Sequence, residues 1–286
     1  MPHTSRRKKH PSQQHKRLEV TDSSGWTHVT TSGNAGRLNN RFRDQKSTPS
    51  DVAISESSNQ AKEEGEEVVE PPLSPAEAPA SVTLSQLERQ LKESRRRWED
   101  SETWASAQGA LRRALPRATS LEGEGYDDVS IVCVGLGSPS GFLRGGWVDR
   151  RSVSMHQLAA LTSVMELLEK QTPNRDVKVY AQDPVFNSYD RALLELLNIT
   201  VLEHPGAFER VSSRALLFCP GAERRHLELL LAHNPAIVFG GPLEDIDSDT
   251  VTGYVRARDS VQLPLFEEQE HAFWRMRVYY TPSERG

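Results

Sequence analysis

The chain has 286 residues and a formal net charge of −5. With no basic excess, nucleic-acid binding through the folded part of the chain is not expected. Two cysteines, Cys133 and Cys219, each lie in an apolar run, a pattern typical of buried thiols in a reducing compartment rather than of a disulfide framework. No secretory leader and no membrane-spanning apolar run is recognised, so we expect a cytoplasmic or nuclear protein that is not held in a membrane.

Residues 1–80 are predicted to form a disordered tail. They are poor in aromatic residues and rich in Ser, Thr, Asn, Lys and Arg, then in Glu and Pro. Such a segment buries too little apolar surface to offset the entropy lost on ordering. A basic cluster at 6–9 and an acidic block at 63–70 indicate either a solvated tail or one that binds protein partners. The basic cluster leaves a nuclear-import signal open as an alternative.

Residues 81–118 are predicted to form a helical arm. Apolar residues recur every three to four positions from Leu84 to Leu115, which is the period of an amphipathic helix or helix pair. Ser81 or Thr83 can cap its start, and Pro116 is expected to end it. We expect the arm to pack on the following domain or on a partner.

Residues 125–286 are predicted to form an α/β domain in which strands and helices alternate. Predicted strands lie at 129–134, 177–181, 199–202, 215–219 and 236–239. Predicted helices lie at 153–171, 189–197 and 224–233. This alternation favours a Rossmann-like, three-layer fold with a mostly parallel sheet. Residues 272–280 alternate enough to predict a closing strand, antiparallel and at a sheet edge.

Each predicted parallel strand ends in a polar or glycine-containing turn. Because the carboxyl ends of such strands meet at one edge, where ligands bind in open α/β sheets, these turns are expected to form one ligand-binding rim. The candidate rim residues are Gly135, Gly137, Ser138, Ser140, Asp183, His204, Gly206, Cys219, Gly240 and Gly241.

The first turn, after Val134, partly matches a dinucleotide-binding fingerprint. Gly135 and Gly137 allow close backbone approach, but the third glycine, Gly141, is one position late. The acidic residue expected about 20 positions later is also missing. The turn therefore leaves three interpretations open: a dinucleotide site, a site for another small ligand, and a structural turn.

The other turns carry single reactive side chains with more than one interpretation. Asp183 can cap the next helix or face a ligand. His204 can transfer protons near neutral pH or serve the structure of its turn. Cys219 is interpreted as a buried small hydrophobe rather than a reactive thiol, because the sequence shows no neighbour that would lower its pKa. No catalytic constellation and no metal-ligand spacing is recognised, and the sequence does not identify a cofactor.

Several segments in order resemble a known family. They are VCVGLGSPSG, HQLAAL, VYAQDPVFN, ITVLEHPG, RALLFCPGAERRHLELLLAHNP and AIVFGGPLED, which together cover about residues 125–245. They are similar to the Sensitivity to Red light Reduced-like domain family, in a form that resembles its fungal members. Residues 23–29, SSGWTHV, resemble the tryptophan-containing segment often found ahead of that domain.

The resemblance implies a regulatory role. It suggests circadian or light-linked gene expression, or control of haem biosynthesis, and it supplies no catalytic residue. Many relatives have Met-Pro-His-Cys where this chain has Cys219-Pro220-Gly221-Ala222, so a role of that His and Cys is not expected here. Two alternatives stay open: an enzyme that binds a nucleotide or an S-adenosylmethionine-like ligand at the rim, and an interaction scaffold that works through its charged tail.

Overall fold

The computed structural model describes residues 75–120, 129–142, 150–173 and 175–282, and the backbone of two strands within 17–31. The chain divides into two compact units, residues 1–68 and 69–286. In the first unit, β1 (Arg17–Thr21) and β2 (Thr27–Thr31) form an antiparallel pair. The rest of the predicted disordered tail up to residue 74 lies outside the described residues. Among those described, no helix combines the length and apolar character needed to cross a bilayer.

The second unit is a three-layer α/β domain built on a seven-stranded, mostly parallel sheet. The strands are β3 (Ser130–Val134), β4 (Lys178–Gln182), β5 (Thr200–Val201), β6 (Leu216–Cys219), β7 (Ile237–Gly240), β8 (Asp259–Gln262) and β9 (Arg277–Tyr280). Their order in the sheet is β5-β4-β3-β6-β7-β9-β8. β3 to β7 are parallel, and β9 runs antiparallel to both of its neighbours. All five parallel strands predicted from the sequence are present, each within two residues of its predicted bounds.

The helices follow the strands in the predicted alternation. They are α1 (Leu84–Glu99), α2 (Glu102–Ser120), α3 (Arg150–Gln171), α4 (Ser188–Leu196), α5 (Arg224–Ala232) and α6 (Asp249–Arg256), with one 3₁₀ turn at Phe208–Arg210. Thr83 caps α1 in a capping box with Gln86, which confirms one of the two predicted caps. Asn187 and Asp190 form the same motif at the start of α4.

The two faces of the sheet are covered by separate helical layers. Ile131 and Cys133 face a core built with α1 to α4, whereas Val132 and Val134 face a second core built with α5 and α6. This alternation along β3 is the period-two pattern of a strand covered on both sides. The near-continuous apolar run of the sequence therefore corresponds to a central strand, completely buried on both faces.

The helical arm packs on the domain. Leu87, Leu91 and Trp98 of α1 are buried in the same core as the helices that follow β3 and β4. Arg95 joins this helix to α3 through an ion pair with Glu166. The arm differs from the prediction at one point, because Pro116 lies inside α2 and the helix continues to Ser120.

The closing strand is antiparallel as predicted, but its predicted position at the sheet edge is wrong. β9 lies between β7 and β8, and the edge is β8, which the sequence analysis missed. The segment DSVQ has one strongly apolar residue, Val261, and its strand is exposed or half-buried throughout. A short edge strand of this kind carries little of the hydrophobic alternation from which strands are predicted.

Trp98 is the large side chain that anchors the arm, and its loss should destabilise the domain. It is completely buried, with its ring centroid 4.4 Å from that of Phe273 and 5.7 Å from those of Trp104 and Phe266. Trp98→Ala is expected to lower the free energy of unfolding by about 3–5 kcal/mol, since it leaves a large cavity.

Chemical denaturation measures that change. Trp274→Ala is the matched control, because Trp274 is 58% exposed and its removal should cost less than about 1 kcal/mol. Equal losses in the two variants would show that Trp98 does not anchor the arm.

Candidate functional site

All ten candidate residues lie at the carboxyl edge of the parallel strands. Four follow β3, Asp183 follows β4, His204 and Gly206 follow β5, Cys219 and Gly240 end β6 and β7, and Gly241 follows β7. The strand order reverses between β3 and β6, and the point of reversal is where ligands bind in folds of this type. The geometry places the predicted rim at one sheet edge, while ligand binding by these residues stays a prediction.

Two loops touch at this point of reversal. Gly135 has φ +78°, and a methyl group added to it would lie 2.5 Å from the carbonyl carbon of Gly221 in the loop after β6. Gly137 has φ +72°, and a methyl group there would lie 2.4 Å from the Ser154 hydroxyl. Both glycines are therefore required by backbone conformation and by protein neighbours. This packing supports the structural-turn interpretation at the floor of the rim.

Ser138 and Ser140 are held by the start of α4. The Ser138 hydroxyl donates to Asp190 (2.6 Å), and the Ser140 backbone N–H donates to the same carboxylate (2.9 Å). The Ser140 hydroxyl donates to the side chain of Asn187 (3.0 Å). Asp190 is completely buried, so these bonds satisfy a charge that would otherwise be costly. The two serines thus join the glycine turn to the helix.

A segment ahead of the helical arm also packs here, which the sequence analysis missed. The backbone N–H of Ala76 donates to Val185 (2.8 Å), and the Ala76 carbonyl accepts from the Asn187 side chain (3.1 Å). Glu77 forms an isolated antiparallel bridge with Phe142. Ala76 lies between Pro75 and Glu77 in a stretch rich in Pro and Ala, with no helical or strand periodicity that would signal such a contact.

Asp183 stabilises the backbone of two turns. One carboxylate oxygen accepts the N–H of Gly137 (2.8 Å), and the other accepts the N–H of Val185 (3.0 Å). Burial raises the pKa of Asp183 above its usual value, although these two hydrogen bonds oppose the rise. The N-cap of α4 is Asn187, so the predicted role of Asp183 as the cap of this helix is wrong. Its carboxylate instead holds the backbone of the turn between β4 and α4.

The two thiols are enclosed by the sheet. Burial raises the pKa of Cys219 to about 12 and that of Cys133 well above its usual value. The sulfur of Cys219 also fills the space beside Gly240, where a methyl group would lie 2.7 Å from it. These surroundings support the interpretation of Cys219 as a small buried hydrophobe, since the nucleophilic form of cysteine is the thiolate.

The turn after β7 is tied to β9 by an acidic side chain. Glu244 accepts a hydrogen bond from the Tyr279 hydroxyl (2.6 Å) and pairs with Arg277 (3.1 Å). The Tyr279 hydroxyl also accepts the N–H of Leu243 (2.9 Å) and lies beside Gly241. Burial raises the pKa of Tyr279, so this phenol stays neutral and acts as a structural bridge.

The part of the rim near β5 contains a cluster of three rings, which we name the His204–Phe208–His226 triad. Ring centroids lie 5.3 Å apart for His204 and Phe208, 5.6 Å for Phe208 and His226, and 6.1 Å for the two imidazoles. Phe208 is buried, His226 is half-buried and His204 is exposed. The triad brings two proton-carrying groups to the surface at one point of the rim.

Gln182, the last residue of β4, positions the first of these rings. Its side-chain oxygen accepts the N–H of Ala207 (2.9 Å), and its side-chain nitrogen lies 3.1 Å from Nδ1 of His204. The sequence analysis named His204 but missed Gln182, Phe208 and His226. His226 is the third residue of α5, which begins after a four-residue loop that follows β6, and that position was the available signal.

No group of three or more His, Cys, Asp or Glu side chains suited to a metal ion occurs among the described residues. Comparison with protein families decides the identity of the domain: a family model described as the SRR1 domain matches residues 113–280, more than half of the chain. The chain belongs to the SRR1 domain family.

The SRR1 domain match begins within α2 and ends at Tyr280, the last residue of β9. It therefore extends beyond the stretch on which the sequence resemblance rests and includes β8 and β9. The fungal assignment stays a prediction. Comparison with curated proteins yields no match, and comparison with solved structures yields none either.

Gly135 of the SRR1 domain should not tolerate a side chain. Gly135→Ala is expected to lower the free energy of unfolding by about 2–4 kcal/mol, because positive φ is costly for alanine and the methyl group overlaps the loop after β6. Gly253→Ala is the matched control. Gly253 lies in α6 with open space around it, so alanine should stabilise by about 0.5–1 kcal/mol. Denaturation of both variants gives the comparison, and a neutral Gly135→Ala would contradict the loop contact.

His226 should make the stability of the SRR1 domain depend on pH. Desolvation lowers its pKa below the usual 6.5, so the unfolded chain binds this proton more readily. The stabilisation that neutral His226 gives to the folded state is therefore fully present above pH 6.5. It is lost as the pH falls from 6.5 through the lower pKa that His226 has in the folded protein.

The measurement is the melting temperature between about pH 7.5 and pH 5. Over this range the melting temperature of the wild type should fall further than that of His226→Gln. His233→Gln, at the exposed end of the same helix, should show the same fall as the wild type. A His226→Gln variant that loses as much as the wild type would be inconsistent with the lowered pKa.

Proposed function

We propose that the protein is a regulatory member of the SRR1 domain family that works by binding rather than by catalysis. A small ligand binds at the rim of the folded domain, and ligand binding changes how the protein interacts with its protein partners. Following the family resemblance, we place its action in circadian or light-linked gene expression or in the control of haem biosynthesis, in the cytoplasm or the nucleus.

The observation that carries the proposal is that the polar groups of the rim are already hydrogen bonded to other groups of the protein. Ser138, Ser140 and Asp183 are committed to hydrogen bonds that build the turns. Cys219 is buried with a raised pKa. Nucleophilic catalysis needs an activated nucleophile within reach of a base, and these contacts favour a binding role over that arrangement.

The contact between Gly135 and Gly221 further supports a binding mode unlike that of dinucleotide enzymes. In such enzymes the glycine turn leaves room for the pyrophosphate to approach the backbone. Here the space beside Gly135 is filled by backbone of the neighbouring loop. The ligand is therefore expected above this floor, at the exposed and half-buried side chains beside β5 and α5.

Mass spectrometry of the purified full chain, combined with a thermal-shift screen, tests the proposal. The screen uses nucleotides, S-adenosylmethionine, haem and any molecule that co-purifies. A rim ligand at 100 times its dissociation constant should stabilise the fold by about 2.7 kcal/mol. That ligand should be recovered unchanged after prolonged incubation with the protein.

Two results would overturn the proposal. Stoichiometric or repeated conversion of the ligand to a product would establish the enzyme alternative. Absence of any stabilising or co-purifying molecule would remove the ligand-binding role and leave the scaffold alternative. In that case, deletion of residues 1–74 should abolish binding of protein partners without lowering the melting temperature.

A further inference from the structure

The hydrogen bonds of Gln182 determine which nitrogen of His204 carries the proton. The backbone N–H of Ala207 can only donate, so the side-chain oxygen of Gln182 must face it. The NH₂ group of the same amide then faces Nδ1 of His204 at 3.1 Å. Because an amide NH₂ donates and cannot accept, Nδ1 must be the acceptor of this bond.

It follows that neutral His204 is the Nε2–H tautomer. When Nδ1 accepts a hydrogen bond, the single proton of the imidazole lies on Nε2. His204 is exposed, so this N–H is available as a donor at the rim. The backbone of Ala207, through Gln182, thus sets the chemistry of a side chain on the neighbouring turn.

This arrangement is the reverse of that in a metal site. A histidine that binds a metal through one nitrogen typically donates the N–H of its other nitrogen to a carboxylate, carbonyl or water. Nδ1 of His204 faces a donor instead, and Gln182 cannot rotate its amide without placing its NH₂ against the N–H of Ala207. Nε2 therefore carries the proton, so it can donate a hydrogen bond to an oxygen but has no free lone pair for a cation.

The other members of the triad suit the same task. Phe208 contacts both imidazoles in edge-type geometry, with its ring at 89° to that of His204 and at 62° to that of His226. Among the described residues, none hydrogen bonds to the imidazole of His226, which lies 6.1 Å from that of His204. The nearby carboxylate of Asp183 already accepts a backbone N–H at each oxygen.

We propose that the His204–Phe208–His226 triad binds an anionic oxygen acceptor, a phosphate or carboxylate group of a small ligand, through the Nε2–H of His204. It does not bind a divalent metal ion. The inference rests on the proposed function in that it locates and characterises the ligand contact of the rim. Charged acceptors are the stronger partners for such a donor.

Nitrogen-15 NMR of the full chain tests the tautomer and the ligand class together. In its neutral form, His204 should show the nitrogen-15 pattern of the Nε2–H tautomer. Separate titrations use inorganic phosphate, acetate and Zn²⁺. Phosphate or acetate should shift the imidazole signals of His204 and His226 in a saturable way. Comparison of the two titrations shows whether a phosphate or a carboxylate group is the preferred acceptor.

Variants separate a binding role from a structural one. His204→Gln should weaken binding of the active anion by at least about tenfold, the value of one hydrogen bond to a charged group. His233→Gln should bind as the wild type does. Gln182→Glu should reverse the tautomer, because a carboxylate accepts both from Ala207 and from Nδ1–H, and it should create Zn²⁺ binding that the wild type lacks.

Three results would overturn this inference: an Nδ1–H tautomer in the wild type, saturable Zn²⁺ binding by the wild type, or no response to either anion. If a co-purified ligand binds equally well to the wild type and to His204→Gln, the proposed function stands and only the triad assignment fails. Retention of the wild-type melting temperature by Gln182→Glu and His204→Gln shows that their effects are not caused by unfolding.

Discussion

The contact between the loops after β3 and β6 is the constraint on which the rim depends. At that point the backbones approach so closely that a methyl group on Gly135 would lie 2.5 Å from Gly221. The contact joins the two halves of the sheet where the strand order reverses, which is the usual ligand crevice of doubly wound folds. In this domain the floor of that crevice is made of protein backbone.

The hydrogen bonds of the rim follow from this close approach. A glycine turn has no side chains to hold it, so its backbone groups need partners from neighbouring elements. Asp183, directly after β4, accepts the N–H of Gly137, and Asp190, at the start of α4, accepts the N–H of Ser140. Asn187 accepts the side-chain hydroxyl of Ser140. The side chains of Ser138, Ser140 and Asp183, which the sequence analysis named as candidate ligand-binding residues, are therefore used to build the turn. The chemistry left at the surface is that of the two imidazoles near β5.

The arm and the last two strands complete the domain around the same sheet. Trp98 of α1 packs against Phe266 and Phe273 of the segment between β8 and β9, so residues far apart in the chain share one core. Ion pairs add to this contact, including Arg97 with Glu268 (3.1 Å). Exposed pairs of this type contribute little free energy, and the apolar contact is the main anchor. The family match extends to the end of β9 and so includes both strands of the antiparallel pair β8–β9. This extent is consistent with a domain that needs this closing strand pair.

The sequence alone determined the α/β class, the five parallel strands and the edge at which their turns meet, because local hydrophobic periodicity and turn residues encode these features directly. It did not reveal β8, whose half-exposed residues lack that periodicity, or the continuation of α2 through Pro116. Only the tertiary structure decided which rim residues serve the fold and which face outward. The bonds between Asp183 and Gly137, between Ser138 and Asp190 and between Gln182 and His204 join positions 46, 52 and 22 residues apart in the chain. No local pattern encodes contacts at such separations.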